Sequence, residues 1–488
     1  MSSLFYGLEI AKTGLSVSQQ GISLTGHNIA NANTVGYTRQ RIIQNSIDPS
    51  NGLTRISKVN KGTIGGGVEI TMIDQIRSDY LDRQYRHENA TLGNYTTKAE
   101  ELDYIETVIN ELSNNGLKTS MADFFKSLSE FSGDPVNDEF RTSVQQNAQK
   151  MIESFHHYYN QLTGLQDTYN ENMRVTVTDV NDLLKSIASY NEQISSYELS
   201  GEQANDLRDK RNLLLDDLSQ LINIDYHVDA DNHLIVECEG VQLVNHTNTK
   251  LLTTSADPTT GLYDIYYEGT TTDFNYTDGK LMGYKNLRDG STSSNIGIPY
   301  IINNLNRLAR SLAEEFNAIH ETGHTKPIDT APSKTGVDFF EVPPGGYDDI
   351  TAGNLSLSAA VLTSVRNIAA SSVTVTATNS GNNEIALTLA ELSSRTDMAD
   401  VGNFEEYLHS VAVELGIASS TAETLSTSQQ AIVDNLAERK ESISGVSLDE
   451  EMVQMMTYQH AYSAASRVLS ALDEALEILI NRTGKVGL

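Results

Sequence analysis

One cysteine, Cys238, stands in a chain of 488 residues, so no intrachain disulfide can form and no cysteine-built zinc site can be assembled. Basic side chains are scarce as well: 34 Lys and Arg face 65 Asp and Glu, a formal net charge of -31. That deficit excludes a nucleic-acid backbone or an anionic membrane as a general partner, because both recruit positive surface. No run reaches the roughly 18 apolar residues of a membrane span, and residues 1–7 lack the basic segment, apolar core and cleavage site of a secretory leader. Neither a membrane span nor a Sec-type leader is expected. What is present suffices for folding: 39% hydrophobic and 20% charged residues, over a length that suggests roughly three domains with sizeable cores.

The two ends are unlike the rest. The first 38 residues carry only Glu9 and Lys12 as formal charges. Leu8, Leu15, Ile22 and Ile29 recur every seven residues, and Leu4, Ala11, Ser18, Thr25 and Ala32 form a companion row. This heptad pattern predicts a helix over 4–32, roughly 43 Å long. A third row, Ile10, Val17 and Leu24, lies about 160° from the Leu8 row, so the helix is apolar on two sides. Gly7, Gly14 and Gly21 also sit seven apart; each costs about 1 kcal/mol of helix propensity, and together they let another backbone approach closely. Two readings follow: a buried central helix, or a helix whose second face is covered by neighbouring copies. At the other end Leu448, Met455, Tyr462, Leu469 and Leu476 repeat at seven, with Met452 and Ile480 on the adjoining row. Ser447 reads as the N-cap, Asp449, Glu450 and Glu451 favour the positive end of the helix dipole, and Gly484 and Gly487 close the helix. The two terminal helices are natural partners for each other.

The segment Asn28, Ile29, Ala30, Asn31, Ala32, Asn33, Thr34, Val35, Gly36, Tyr37, Thr38, Arg39, Gln40 resembles the signature that closes the N-terminal helix in the rod, hook and hook-associated proteins of the bacterial flagellum. Its Gly-Tyr-Thr-Arg-Gln ending points, within that family, to the hook-associated members of the hook–filament junction. Residues 444–451 and Tyr458, Gln459, His460, Ala461, Tyr462 are similar to the matching C-terminal end. Phe124, Phe125 and Leu128, Asp134 and Pro135 with Arg141, and residues 205–211 resemble recurring positions of the family's helical domain; as residues they read as caps and packing.

Between the ends, residues 74–222 read as long helices broken at Asn114-Asn115-Gly116 and Gly133-Asp134-Pro135. The period changes to two at Ile224 and stays so through Tyr267, with turn clusters at 229–232 and 257–261, which predicts a β-rich module. Helical periodicity returns at Ile296 and runs to His320, then over 403–414 and 419–444. Pro343, Pro344, Gly345 and Gly346 stand where larger members of the family insert an outer domain, so the resemblance implies a reduced outer surface here. Gly65, Gly66 and Gly67 precede no Gly-Lys-Ser/Thr and read as a hinge instead of a phosphate loop.

His320, Glu321 and His324 match H-E-x-x-H, in which two histidines one helical turn apart bind zinc. That geometry needs an unbroken helix, whereas Gly323 and Pro327 are helix-ending residues. Third-ligand candidates are poor, Glu341 being the conceivable one. A zinc hydrolase is therefore the weakest alternative. His156 and His157 point to different sides of a helix and read as solvated or packed.

The expected architecture is mainly α with a β-rich insert: terminal residues 1–40 plus 445–488 as a coiled-coil-like assembly domain, 41–222 plus 295–444 as a mostly helical middle, and 223–294 as an outer β-rich module. The expected assembly interface is Leu4, Leu8, Leu15, Ile22, Ile29, Leu448, Met455, Tyr462, Leu469 and Leu476, with no catalytic residue, cofactor or metal. The resemblance implies a structural subunit of the hook–filament junction, with a hook or rod protein as the alternative. Implied partners are further copies in a ring, the hook protein, the second junction protein, and a cytoplasmic chaperone on the C-terminal helix during type III export to the cell exterior.

Overall fold

The computed structural model describes residues 2–47, 65–114, 116–199, 201–229, 233–328, 332–396, 398 and 401–482, without the side chains of 2–4, 110–114 and 481–482. The Leu4 side chain and the turn and cap residues expected at Asn115, 230–232, Gly484 and Gly487 lie outside the described residues.

The chain opens with α1 (Ser2–Ala30), followed by strands β1 (Gln40–Ser46) and β2 (Val68–Gln75). These pair antiparallel from Gln40 opposite Gln75 to Ser46 opposite Val68, with an irregularity after Ile43. Long helices follow: α2 (Asp79–Asn114), α3 (Leu117–Gly133), α4 (Asp138–Glu198) and α5 (Asn205–Leu221). At 61 residues, α4 is roughly 90 Å long. Its start is fixed by Asn137, whose side chain accepts from the Glu139 N–H, and by acidic residues in the first turn.

The β-rich insert has three parts. A four-stranded antiparallel meander comprises β3 (Asp225–Val228), β4 (Leu234–Cys238), β5 (Val241–Asn245) and β6 (Asn248–Thr249), and β7 (Leu252–Ala256) pairs with β8 (Tyr263–Tyr267). Helix α6 (Lys280–Asp289) also falls inside the stretch read as β-rich; a short pair, β9 (Ser291–Thr292) and β10 (Asn295–Ile296), leads into α7 (Ile298–His320). The described residues between 321 and 403 are mostly irregular, with α8 (Ala359–Thr363), α9 (Glu384–Glu391) and single 3₁₀ turns, where a mostly helical middle is expected. Helices α10 (Phe404–Ser444) and α11 (Leu448–Arg482) complete the chain.

Two further expectations are corrected. The helices read over 403–414 and 419–444 are one helix, because Leu408, Val411, Leu415 and Ala422 are buried along one face; that burial outweighs the roughly 1 kcal/mol cost of Gly416. The glycines at 65–67 do not form a loose hinge. The Gly66 N–H donates to the Ile47 carbonyl and the Ile47 N–H to Gly67, closing the β1–β2 ribbon, and Gly67 has φ +105, a region open to glycine.

One apolar cluster runs through the molecule from Leu102 to Ala422. It joins helical residues such as Phe155, Leu184 and Leu308 to Val236, Val244, Ile265 and Phe274 of the insert, so the insert shares its core with the helices. Rings of Phe124, Phe316, Phe339 and Phe340 meet in it, the closest pair, Phe316 and Phe339, 4.5 Å apart at their centroids. Helices α2 and α10 lie antiparallel: Gln429 donates to the Glu88 carbonyl at one end, while Gly416 lies beside Glu106 towards the other. Among the described residues, nothing from α1 or α11 joins this cluster.

Candidate functional site

Helices α1 and α11 pair with each other. A Cβ placed on Gly7 would lie 3.4 Å from Leu472, on Gly14 4.0 Å from Ala465, and on Gly21 2.6 Å from the Tyr458 ring. Asn28 continues the row by donating to Glu451 at 3.0 Å. Each step of seven along α1 is matched by seven backwards along α11, which makes the pair antiparallel and in register. The seam of α1 is built from small residues: Gly7, Gly14 and Gly21 alternate with Ala11, Ser18 and Thr25, all three buried. This is the close approach that the glycine spacing predicts, and it occurs inside one chain.

The heptad rows of larger residues fall beside that seam. Leu8, Leu15, Ile22 and Ile29 are half-buried, as are Met455, Leu469 and Leu476, whereas Tyr462 and Leu448 are exposed. Further exposed apolar residues on α11 are Met452, Val453, Met456, Val468 and Ile480. Val17 is buried, and Thr13 one turn before it accepts from the Val68 N–H of β2, so the ribbon covers one flank of α1. The pair thus keeps incompletely covered apolar residues and, among the described residues, contributes none to the main apolar cluster.

The signature residues form the joint between this pair and the body. After Ala30 the chain turns; Asn31 donates to the His27 carbonyl, and Asn33 is exposed. Gly36 adopts φ +78 against Leu213, a conformation that strains other residues. Every hydrogen-bonding valence of the Asn28 amide is used. Its oxygen accepts from Tyr37 Oη at 2.7 Å and the Gln40 N–H at 3.2 Å, and its nitrogen donates to the Gln40 carbonyl at 2.9 Å and to Glu451. Arg39 reaches Glu451 through Nε at 2.7 Å and Glu450 at 2.6 Å, while its backbone N–H donates to the Ser444 carbonyl at the end of α10.

The other side of the joint is α5. Gln40 donates to Asp206 and accepts from Asn205; the Thr38 N–H donates to Asp209 at 3.0 Å, and Gln75 donates to the same carboxylate at 2.8 Å. Burial pushes the Asp209 carboxyl up to about 6, against the pull of the Thr38 and Gln75 hydrogen bonds and the Arg77 charge. Burial, then the charges of Asp206, Asp209 and Glu451, raise the Tyr37 phenol. Residues 205–211, read from sequence as caps and packing, therefore include direct partners of the signature. Glu451 was legible only as one of three helix-start acids; its place seven residues before Tyr458, continuing the row that meets the glycines, was the available signal. Arg41 pairs with Asp74 at 3.4 Å, and Lys12 is exposed.

The H-E-x-x-H residues do not form a zinc site. Helix α7 ends at His320, so His324 is not one turn further along it. Buried His320 donates from Nδ1 to the Val337 carbonyl at 2.6 Å and accepts at Nε2 from the Ala369 N–H at 2.8 Å. Burial lowers its pKa to about 4, and the ring has no nitrogen left for a metal. Glu341 accepts from the Ala359 N–H. Among the described residues, no three His, Cys, Asp or Glu side chains assemble into a metal-holding group.

Comparison with known proteins places these features. Residues 102–340 match the model of the flagellar hook-associated protein FlgK helical domain, and 441–482 match the flagellar basal body rod FlgEFG protein C-terminal. The chain is 31% identical over 520 residues to flagellar hook-associated protein 1 of Bacillus subtilis (strain 168), covering 100% of both. It is 24% identical over 563 residues to the protein of that name in Escherichia coli (strain K12), covering 99% of this chain and 100% of the other. A solved structure described as the flagellar hook junction protein FlgK from Burkholderia pseudomallei shares the fold, with TM-score 0.60 and 15% identity, over 74% of this chain and 100% of that one.

Proposed function

The chain belongs to the flagellar hook-associated protein 1 family, and from that premise we propose that its terminal helix pair is the part that assembles. The protein is a structural component of the flagellum at the junction between hook and filament. The observation that carries the assembly reading is the exclusion of α1 and α11 from the main apolar cluster while they retain half-buried and exposed apolar residues. In a ring of copies those residues are covered by neighbours, and burial at about 25 cal/mol per Å² offsets the ordering entropy of the ends. Leu8, Leu15, Ile22 and Ile29 from one helix and Leu448, Met455, Tyr462, Leu469 and Leu476 from the other supply that surface.

The hook protein below, the second junction protein above and sister copies to each side are the proposed partners. Before assembly, a cytoplasmic chaperone covers the exposed apolar residues of α11 such as Met452, Val453 and Met456. Export through the type III channel to the cell exterior suits a chain whose single cysteine forms no disulfide to obstruct threading. No helix among the described residues is long and apolar enough to cross a membrane.

The test is complementation of a strain lacking the gene. Full-length protein restores filaments; a chain without α1 and α11 leaves bare hooks and filament subunits in the medium, while its body stays folded by circular dichroism. Normal filaments on hooks carrying the truncated chain would overturn the proposal.

A further inference from the structure

We infer that Arg39, Glu451 and Asn28 form a buckle that sets the register of the terminal helix pair and its angle to the body, which makes them positioning residues for assembly. The inference rests on the assembly reading but concerns the monomer.

The seam of α1 from Gly7 to Thr25 is made of glycine, alanine, serine and threonine, which define spacing but specify register weakly. Its last position is different. There Asn28 is 1% exposed and meets Glu451, 2% exposed. A polar pair at one position of a helical seam penalises slipped alignments. Sliding by one heptad would bring Glu451 opposite Gly21 and leave Asn28 without its carboxylate acceptor. The buried carboxylate has two donors, Arg39 Nε on one oxygen and Asn28 Nδ2 on the other. Both come from the N-terminal end of the chain, so the buckle closes only when the two ends have met.

The same residues transmit direction. The Arg39 backbone bonds the last residue of α10, its side chain holds the first turn of α11, and its carbonyl accepts from Ile76. Gln40, adjacent in the chain, bonds Asp206 and Asn205 of α5. The entry of α1, the exit of α10, the start of α11 and the start of α5 are thus tied at one point. Lys12 lies sixteen residues before Asn28, roughly 24 Å along α1, so a tilt of about 20° at the joint moves it by roughly 8 Å.

Paired spin labels on Lys12→Cys and Lys210→Cys, both at exposed positions, read that movement in the monomer. Buried Cys238, its thiol pushed up to about 12 by burial, does not compete for the label. A single narrow distance distribution is expected for the parent, broadening in Arg39→Ala and retained in Arg39→Lys and in the control Arg41→Ala, whose ion pair with Asp74 lies outside the buckle. Should Arg39→Ala lose helix content, Glu451→Gln, which keeps the shape and removes the charge, carries the test and must broaden. Parent-like distances in a folded Arg39→Ala or in Glu451→Gln would overturn the buckle while leaving the assembly reading intact. Failure of that reading shows elsewhere, as normal filaments on hooks that carry the truncated chain.

Discussion

Alanine substitutions at Gly14 and Gly21 should have opposite effects although the two glycines are equivalent in the heptad. Each removes a helix-interior glycine and gains about 1 kcal/mol of propensity. At Gly14 the new methyl lies 4.0 Å from the Ala465 methyl, an ordinary contact, so Gly14→Ala stabilises the pair. At Gly21 it falls 2.6 Å from the Tyr458 ring, and the ring or the helix must shift, an overpacking cost of about 1–3 kcal/mol. Gly21→Ala therefore loses up to about 2 kcal/mol net, which is roughly 30-fold in the opening equilibrium. Hydrogen exchange of the α1 amides, followed by mass spectrometry in the monomer, measures it. Gly14→Ala should slow exchange, Gly21→Ala should hasten it, and the body should be unchanged because its core does not include α1. Equal slowing in both variants would refute the small-residue seam.

Other outcomes follow from the same structure. In the unassembled protein the amides of α1 and α11 should exchange well before those of α4, whose buried residues belong to the main cluster; protection of the ends equal to that of α4 in a verified monomer would contradict the assembly reading. Asp209 has a folded pKa of about 6 against an ordinary 3.8, so the folded state binds its proton more readily. Its stability contribution rises as pH falls through 6 and is complete below about 4. Relative to Asp209→Asn, the parent should therefore gain about 2 kcal/mol between pH 7.5 and 4.5 by denaturant unfolding, and a pH-independent difference would show that burial does not raise this group. His320→Ala removes the partner of two buried backbone groups and leaves a cavity, costing about 2–4 kcal/mol in the melt; stoichiometric zinc in the parent, lost in the variant, would restore the hydrolase reading.

Sequence alone determined the kinds of element and where the chemistry is not. Heptad spacing located both terminal helices, the change of period at Ile224 located the strands from β3 to β8 but not the β1–β2 ribbon, and Gly323 with Pro327 foretold the end of α7 at His320. Periodicity is a local property, and these features depend on residues within a few turns of one another. It could not choose which side of α1 meets α11, since apolar and small-residue rows both repeat at seven; the choice lies in fit, where Leu472, Ala465 and Tyr458 meet the positions without side chains. Nor could it join α10 across Gly416, because the apolar burial that stabilises that segment comes from packing. Glu451 looks like a surface acid until the fold brings Arg39 to it from 412 residues away. A charge becomes structural only when its counterion and its loss of water arrive together, and both are supplied by tertiary contacts.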